Sequence, residues 1–298
     1  MGLPDFDYFR VQNTSEAVDV LTTYPGEAKI LAGGTDLLWQ MKHRRVWGRP
    51  CPKYLVSMRD VESLRYVREE DGHISIGANT THRDAEVSPL VKKELGALHD
   101  ACSQVGSVQI RNVATIVGNV CNAAPSADTA GPLLAHGAVA RIVGLKGERT
   151  VPLTEIFLGP GQLVLEPNEI VVGIDMPRPP DLSASAYFKL ARRRAMDIAM
   201  IGVAAYVSCT PEKGYVKEAR IACTTVGPTP VRAYEAERIL VGVPINEDRL
   251  RKAADLAAEH ASPRTSYRST SEYRREMTRV FVLRSLKKAL ERVKSECS

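Results

Sequence analysis

Cysteine is sparse in this chain and never clustered. The 298 residues hold six, at positions 51, 102, 121, 209, 223 and 297, with no C-x-x-C and no local cysteine–histidine group. Iron–sulfur and structural zinc sites draw their ligands from bunched pairs of that kind, so the spacing supports neither. Free thiols, mostly buried, are expected instead, with Cys121 packing as a small residue. No apolar run approaches the ~20 residues that span a bilayer, and residues 1–7 have neither the basic nor the apolar segment of a signal peptide. Also missing are G-x-G-x-x-G after a strand, G-x-x-x-x-G-K-[S/T], H-E-x-x-H and G-x-S-x-G. Their absence removes the usual dinucleotide and triphosphate fingerprints, the zinc protease helix and the serine hydrolase elbow.

What is present describes an ordinary globular protein, 44% apolar and 25% charged, long enough for two domains. Its net charge of +5 is concentrated at one end: from Ala261 onward there are ten Lys/Arg against four Asp/Glu. A basic helix raises the question of nucleic acid. Here Met277, Phe281, Leu286, Leu290 and Val293 form an apolar stripe at helical spacing, so the helix packs on protein. Its basic face is then solvated or turned to a partner, and nucleic-acid binding is not expected.

Periodicity and turn residues predict a helix over 15–23 capped by Ser15, a strand over 28–31, a helix over 36–43 and a polar connection over 44–52. Further on come a strand over 54–58, a hairpin across Asp71-Gly72, and helical material over 89–106. Residues 107–125 read as one long irregular segment, the kind that marks a binding loop. A short helix over 127–136 and strands over 138–143 and 169–176 follow. Pro177-Arg178-Pro179-Pro180 is the clearest domain boundary, because three prolines in four residues disfavour helix and internal strand alike. Beyond it, strands over 186–190, 201–209 and 219–225 precede helices from 232 on. That order argues for α+β lobes and against a regularly alternating sheet.

Two glycine-bearing turns carry the functional signal. Ala32-Gly33-Gly34-Thr35-Asp36 lies between a strand and a helix, an arrangement that aims free N–H groups and the positive end of the helix dipole at an anion. Thr115-Ile116-Val117-Gly118-Asn119 repeats that chemistry before a run of small residues ending at Asp128. Glycine at such places lets a ligand approach main chain without meeting a Cβ. Two amide-rich turns suit an extended diphosphate, although each alone reads equally well as a surface turn. His82, the one histidine near these loops, reads more simply as a structural hydrogen-bonding group. Lys189, ahead of the run Arg192-Arg193-Arg194, reads more simply as an exposed strand-end charge.

Taken in order, these stretches resemble a known family. Ile30-Leu31-Ala32-Gly33-Gly34-Thr35-Asp36-Leu37 is similar to the first FAD-diphosphate loop of the medium, flavin-binding subunits of the molybdenum hydroxylases, the family of xanthine dehydrogenase and aerobic carbon monoxide dehydrogenase. The run from Gln109 to Asn119, continuing through Pro125 to Asp128, is similar to their second loop. Residues 169–177, ahead of a second unit bearing Lys189, agree as well, so the likeness spans essentially the whole chain. One position departs: the second loop of the family reads T-x-G-G-N, and Val117 stands at the first glycine. Valine avoids positive φ, so the turn is expected to differ there.

The resemblance implies an α+β fold. A two-lobed FAD-binding domain of the PCMH, vanillyl-alcohol-oxidase-like type would occupy residues 1–177, with lobes of about 1–55 and 56–177, and a smaller α+β domain residues 178–298. It implies FAD held by main-chain N–H groups of Ile30, Leu31, Ala32, Gly33, Gly34, Thr35, Asp36 and Leu37 and of Thr115, Val117, Gly118 and Asn119. Asp128 would accept a hydrogen bond from the cofactor, Lys189 would lie near the isoalloxazine, and Val105 and Val171 would touch FAD through backbone or apolar contact. No residue of this chain is implied as catalytic and none as a metal ligand. The family's chemistry would pass electrons from a molybdenum cofactor on a large subunit, through [2Fe–2S] clusters on a small one, to FAD here and on to an acceptor such as NAD. The assembly implied is a cytoplasmic dimer of heterotrimers. The alternatives are a stand-alone flavin reductase or oxidase, which would need its own acid or base, and a scaffold of the same fold that has lost FAD.

Overall fold

The computed structural model of the chain describes residues 2–46, 50–210 and 215–296; Cys297 and part of the connection read over 44–52 fall outside them. Three larger sheets organise the described residues, beside a two-stranded one, Phe157–Gly159 with Gln162–Leu163. The first is small and parallel, with Tyr54–Ser57 between Asp7–Arg10 and Ala28–Leu31. The second has five antiparallel strands in the spatial order Val67–Glu70, His73–Gly77, Ile170–Pro177, Val139–Gly144, Gly147–Pro152. The third, Ser183–Leu190, Ile201–Cys209, Val216–Thr224 and Val231–Arg232, is antiparallel throughout.

Strand Ile201–Cys209 shows how the halves are joined. It reads as an unbroken apolar run because both of its faces are buried. Side chains alternate across a strand, so Ala204 and Tyr206 enter the core of the N-terminal half, while Ile201, Val203, Ala205 and Val207 enter a second core. Helices Glu247–Glu259 and Ser271–Glu296 complete that second core with Leu250, Ala254, Phe281, Leu286 and Val293. The stripe expected on the last helix is thus its buried face. Among the described residues no helix is long and apolar enough to cross a membrane.

Local chemistry accounts for where the elements begin. The Asp71-Gly72 hairpin forms because both residues adopt positive φ, 50° and 74°. Helix Thr14–Thr23 starts at Asn13 and not at Ser15: the Asn13 side chain accepts from Glu16 N at 2.9 Å, and the Glu16 carboxylate reaches back to Gln12 N at 2.8 Å. The stretch 107–125 is not irregular. It holds helices Val108–Arg111 and Ile116–Cys121, opened by Ser107 and Thr115 hydroxyl caps. Elements of four and six residues are too short for a 3.6-residue period to repeat. The helix expected after residue 36 runs Leu37–Val46. Of the five described thiols, Cys102 and Cys223 are buried, and Cys51, Cys121 and Cys209 are partly exposed.

Candidate functional site

The two turns meet. A Cβ built on Gly33 would fall on the Val113 main-chain carbonyl and 2.7 Å from Ala114 Cα, so this glycine backs directly onto the residues that lead into the second turn. Gln40 Nε2, on the helix after the first turn, donates to Asn122 Oδ1 at 2.8 Å and ties the far ends together. The second turn is anchored from its other side by Ile116 N to Thr80 O at 3.1 Å and His82 N to Ala114 O at 3.0 Å.

The glycines serve the protein itself. Gly33 clears space for Val113. Gly118 clears space for the Thr115 hydroxyl, which would lie 2.7 Å from a Cβ there. Gly34 has φ +71°, a left-handed conformation that costs an L-residue about 1–2 kcal/mol. None of the three leaves its Cβ direction open to a ligand, contrary to the reading of glycine as clearance for the diphosphate. What the first turn offers is donors. The main-chain N–H groups of Gly33, Gly34, Thr35 and Asp36 have no acceptor among the described residues, and residues 30–35 are all only half-buried. Unpaired amides at the start of helix Leu37–Val46 fit a phosphate-bearing group.

The second turn contributes less than its sequence suggested. Thr115 Oγ1 takes the Gly118 N–H at 3.0 Å and Thr115 O takes that of Asn119 at 3.0 Å, leaving the amides of Thr115 and Val117 without an acceptor among the described residues. Val117 is the second residue of helix Ile116–Cys121 and is not among the positive-φ residues. Its side chain sits in the core at 3% exposure. The turn therefore needs no adjustment for valine.

Beyond the turns, the remaining candidates form one connected line. Asn119 Oδ1 accepts from Thr129 N at 3.3 Å and from Thr129 Oγ1 at 2.7 Å, fixing the segment that carries Asp128. Asp128 is buried and pairs with Lys189 Nζ at 2.8 Å; the Lys189 side chain is only 6% exposed, so it is no solvated strand-end charge. Lys189 Nζ also donates to Gln104 O at 3.3 Å, beside the buried Val105. Burial raises the Asp128 carboxyl and the Lys189 ammonium opposes that rise. Lys189 and Gln104 line a groove of about 320 Å³ with Ala191 and Arg192-Arg193-Arg194. Val171, in the middle strand of the second sheet, lies in the core under helix Ile116–Cys121.

Sequence reasoning missed Tyr187, whose hydroxyl donates to Asp128 Oδ1 at 2.8 Å across 59 positions of chain. His82 is fully buried. Its Nδ1 lies 3.7 Å from Cys102 Sγ, and burial with the Arg111 charge lowers it to about 4, so it is neutral and structural. Burial likewise pushes the Cys121 thiol up to about 12. Among the described residues no group of His, Cys, Asp and Glu could hold a metal ion.

The family described as the FAD binding domain in molybdopterin dehydrogenase matches residues 4–179, well over half of the chain. The chain belongs to this family of molybdenum hydroxylase FAD-binding subunits. A second match, the carbon monoxide dehydrogenase flavoprotein C-terminal domain, covers residues 186–289. The xanthine dehydrogenase FAD-binding subunit of Escherichia coli O157:H7 is 37% identical over 269 residues, 90% of each chain. The carbon monoxide dehydrogenase medium chain of Afipia carboxidovorans is 33% identical over 97% of this chain and 98% of its own. Among solved structures, the carbon monoxide dehydrogenase of Hydrogenophaga pseudoflava superposes with a TM-score of 0.93 at 34% identity, covering 98% of this chain and 99% of that one. These members of the family are oxidoreductase subunits, and the α+β architecture with an FAD-binding and a C-terminal unit is theirs as well.

Proposed function

We propose that this chain is the flavin-holding relay of a multi-subunit molybdenum dehydrogenase, taking electrons from [2Fe–2S] clusters on a small partner subunit and delivering them to an external acceptor such as NAD. A large molybdopterin-binding subunit would select the organic substrate, and the working assembly would be a cytoplasmic dimer of heterotrimers. The observation that carries this reading is the set of four unpaired amides, Gly33 to Asp36, at the head of a helix and in contact with a second capped turn. Those amides would bind the FAD diphosphate, supplemented by Thr115 and Val117 N–H, while Asp128 and Lys189 would face the ring end. Residues 1–177 would hold the cofactor, and 178–298 would supply Lys189 and close the site.

Bound FAD supplies the electron storage and one-electron or hydride exchange that amino acids lack. The chain's own residues orient and shield. The turn amides fix the diphosphate without adding side-chain charge, and Lys189 holds a positive charge against the groove. His82, the candidate base of a stand-alone flavin enzyme, is fully buried, which argues against that reading.

Purification of the full chain and titration with FAD tests the reading, followed by assays with small oxidisable substrates with and without the partner subunits. A yellow protein that turns over nothing alone and accepts electrons only from the iron–sulfur subunit is expected. A colourless chain that takes up no FAD, or sustained turnover without partners, overturns it.

A further inference from the structure

Strand Ser183–Leu190 turns every second residue into the N-terminal half. Ser185 Oγ accepts from Ala97 N at 2.8 Å and meets His136 Nε2 at 2.9 Å. Tyr187 Oη donates to Asp128 Oδ1 and Lys189 Nζ to Asp128 Oδ2, both at 2.8 Å. Two of these three hooks therefore converge on one buried carboxylate, one donor to each oxygen. The Tyr187 hydroxyl occupies space that Gly202 leaves by having no side chain, with the Thr224 hydroxyl against it. Burial and the facing carboxylate push the Tyr187 phenol well above its usual range, so it remains a donor at any working pH.

An ammonium has three N–H groups. Lys189 spends one on Asp128 and one on Gln104 O, and the third remains for the groove it lines. We propose that Tyr187 is a positioning residue for the flavin: by occupying Asp128 Oδ1 it holds the carboxylate so that only Oδ2 engages Lys189, and the lysine keeps one N–H directed at the ring, given that the groove beside Lys189 receives it. A buried carboxylate oxygen does not stay unpaired. Without the phenol, Oδ1 turns to the neighbouring ammonium, takes the third N–H and draws the cation away from the groove. Less positive charge then faces the site, and reduced FAD, which carries the added negative charge, is the form that loses.

The test uses the full chain loaded with FAD and reads midpoint potential, FAD affinity and thermal midpoint in Tyr187→Phe, Ser185→Ala, Lys189→Gln and the Tyr187→Phe/Lys189→Gln double variant. Tyr187→Phe should leave oxidised FAD bound about as before and weaken reduced FAD roughly fivefold, read as a lower potential, on the scale of a lost hydrogen bond to a charged group transmitted through one intermediary. Lys189→Gln should move the potential further in the same direction, and the double variant no further than Lys189→Gln alone, because the phenol acts through the lysine. Ser185→Ala, the hook of the same strand that avoids Asp128, should move the thermal midpoint and leave the potential in place. Should Tyr187→Phe fail to fold, Thr224→Val, which keeps ring and phenol, should shift the potential the same way by less. A yellow wild type whose potential is unmoved in Tyr187→Phe and Thr224→Val, or a double variant that adds the full Tyr187→Phe increment, overturns the inference alone. A wild type that takes up no FAD overturns the functional reading and the inference together.

Discussion

The first turn and the junction at Asp128 solve opposite problems. At the first turn the amides of Gly33 to Asp36 have no acceptor among the described residues, and the side chains hardly matter. At the junction every atom of the Asp128 carboxylate is matched, by Tyr187 and Lys189 contributed from the other half of the chain. Open main-chain donors give a place where an anion fits whatever the side chains are. Closed side-chain networks give a place where a charge is held at a fixed position. The pairing of the two, linked through Asn119 and Thr129, is what makes this one extended site.

The contrast breaks most completely at Gly33. Gly33→Val should abolish retention of FAD and lower stability, because the new side chain meets the Val113 carbonyl and drives the two turns apart; flavin absorbance per protein and a thermal scan read both effects. A variant that purifies fully yellow contradicts the contact. On the closed side, Asp128→Ala strands a buried ammonium. Removing one partner of a buried pair costs about 3–5 kcal/mol, and Asp128→Asn should cost less because its one amide oxygen still accepts from the ammonium, although the second accepting oxygen is lost. Denaturant unfolding separates the two.

Protonation sharpens the comparison at intermediate scale. Burial lowers His82 to about 4 and His136 to about 3, with Arg111 and Arg220 adding to it. The unfolded chain therefore binds more protons between pH 6.5 and those values. The stability each histidine supports is complete above 6.5 and lost as pH falls toward about 4 for His82 and about 3 for His136, a few kcal/mol each. His136→Gln should flatten the fall in unfolding free energy between pH 6.5 and 4; an unchanged slope refutes the assignment. The smallest effect belongs to the second turn. Thr115→Val removes the cap of helix Ile116–Cys121 at about 1 kcal/mol, seen as a modest drop in thermal midpoint, with FAD retention little altered because the first turn holds most of the donors.

The open region was legible in the residues themselves; at the closed one the resemblance named Asp128 and Lys189, but neither their pairing nor Tyr187 could be read. Strands Ala28–Leu31 and Ile201–Cys209 announce themselves by apolar run and length, and the Gly33-Gly34 turn by position between strand and helix. The reason for the glycines was hidden, since nothing in a local pattern says that Val113 stands behind Gly33. Strand Gly147–Pro152 went unread because it is an exposed edge with a polar sequence, where periodicity is weak. The helices within 107–125 were too short to show a period. Tyr187 and the buried state of Lys189 depend on a carboxylate about sixty positions away, and pairings of that range become visible only when the chain is folded.

Strand Ser183–Leu190 also forms the border of the third sheet, and a border strand normally presents unsatisfied peptide groups to any passing chain. Here Asp100 Oδ2 accepts from Tyr187 N at 3.1 Å and Arg292 Nη1 donates to Ser185 O at 2.6 Å, the two side chains themselves clasped in a two-pronged ion pair. The opposite border, Val231–Arg232, is two residues long. The clasp thus occupies two of the first border's outward peptide groups, Tyr187 N and Ser185 O, so the same contacts that seat the two halves leave fewer of them for a foreign strand to pair with.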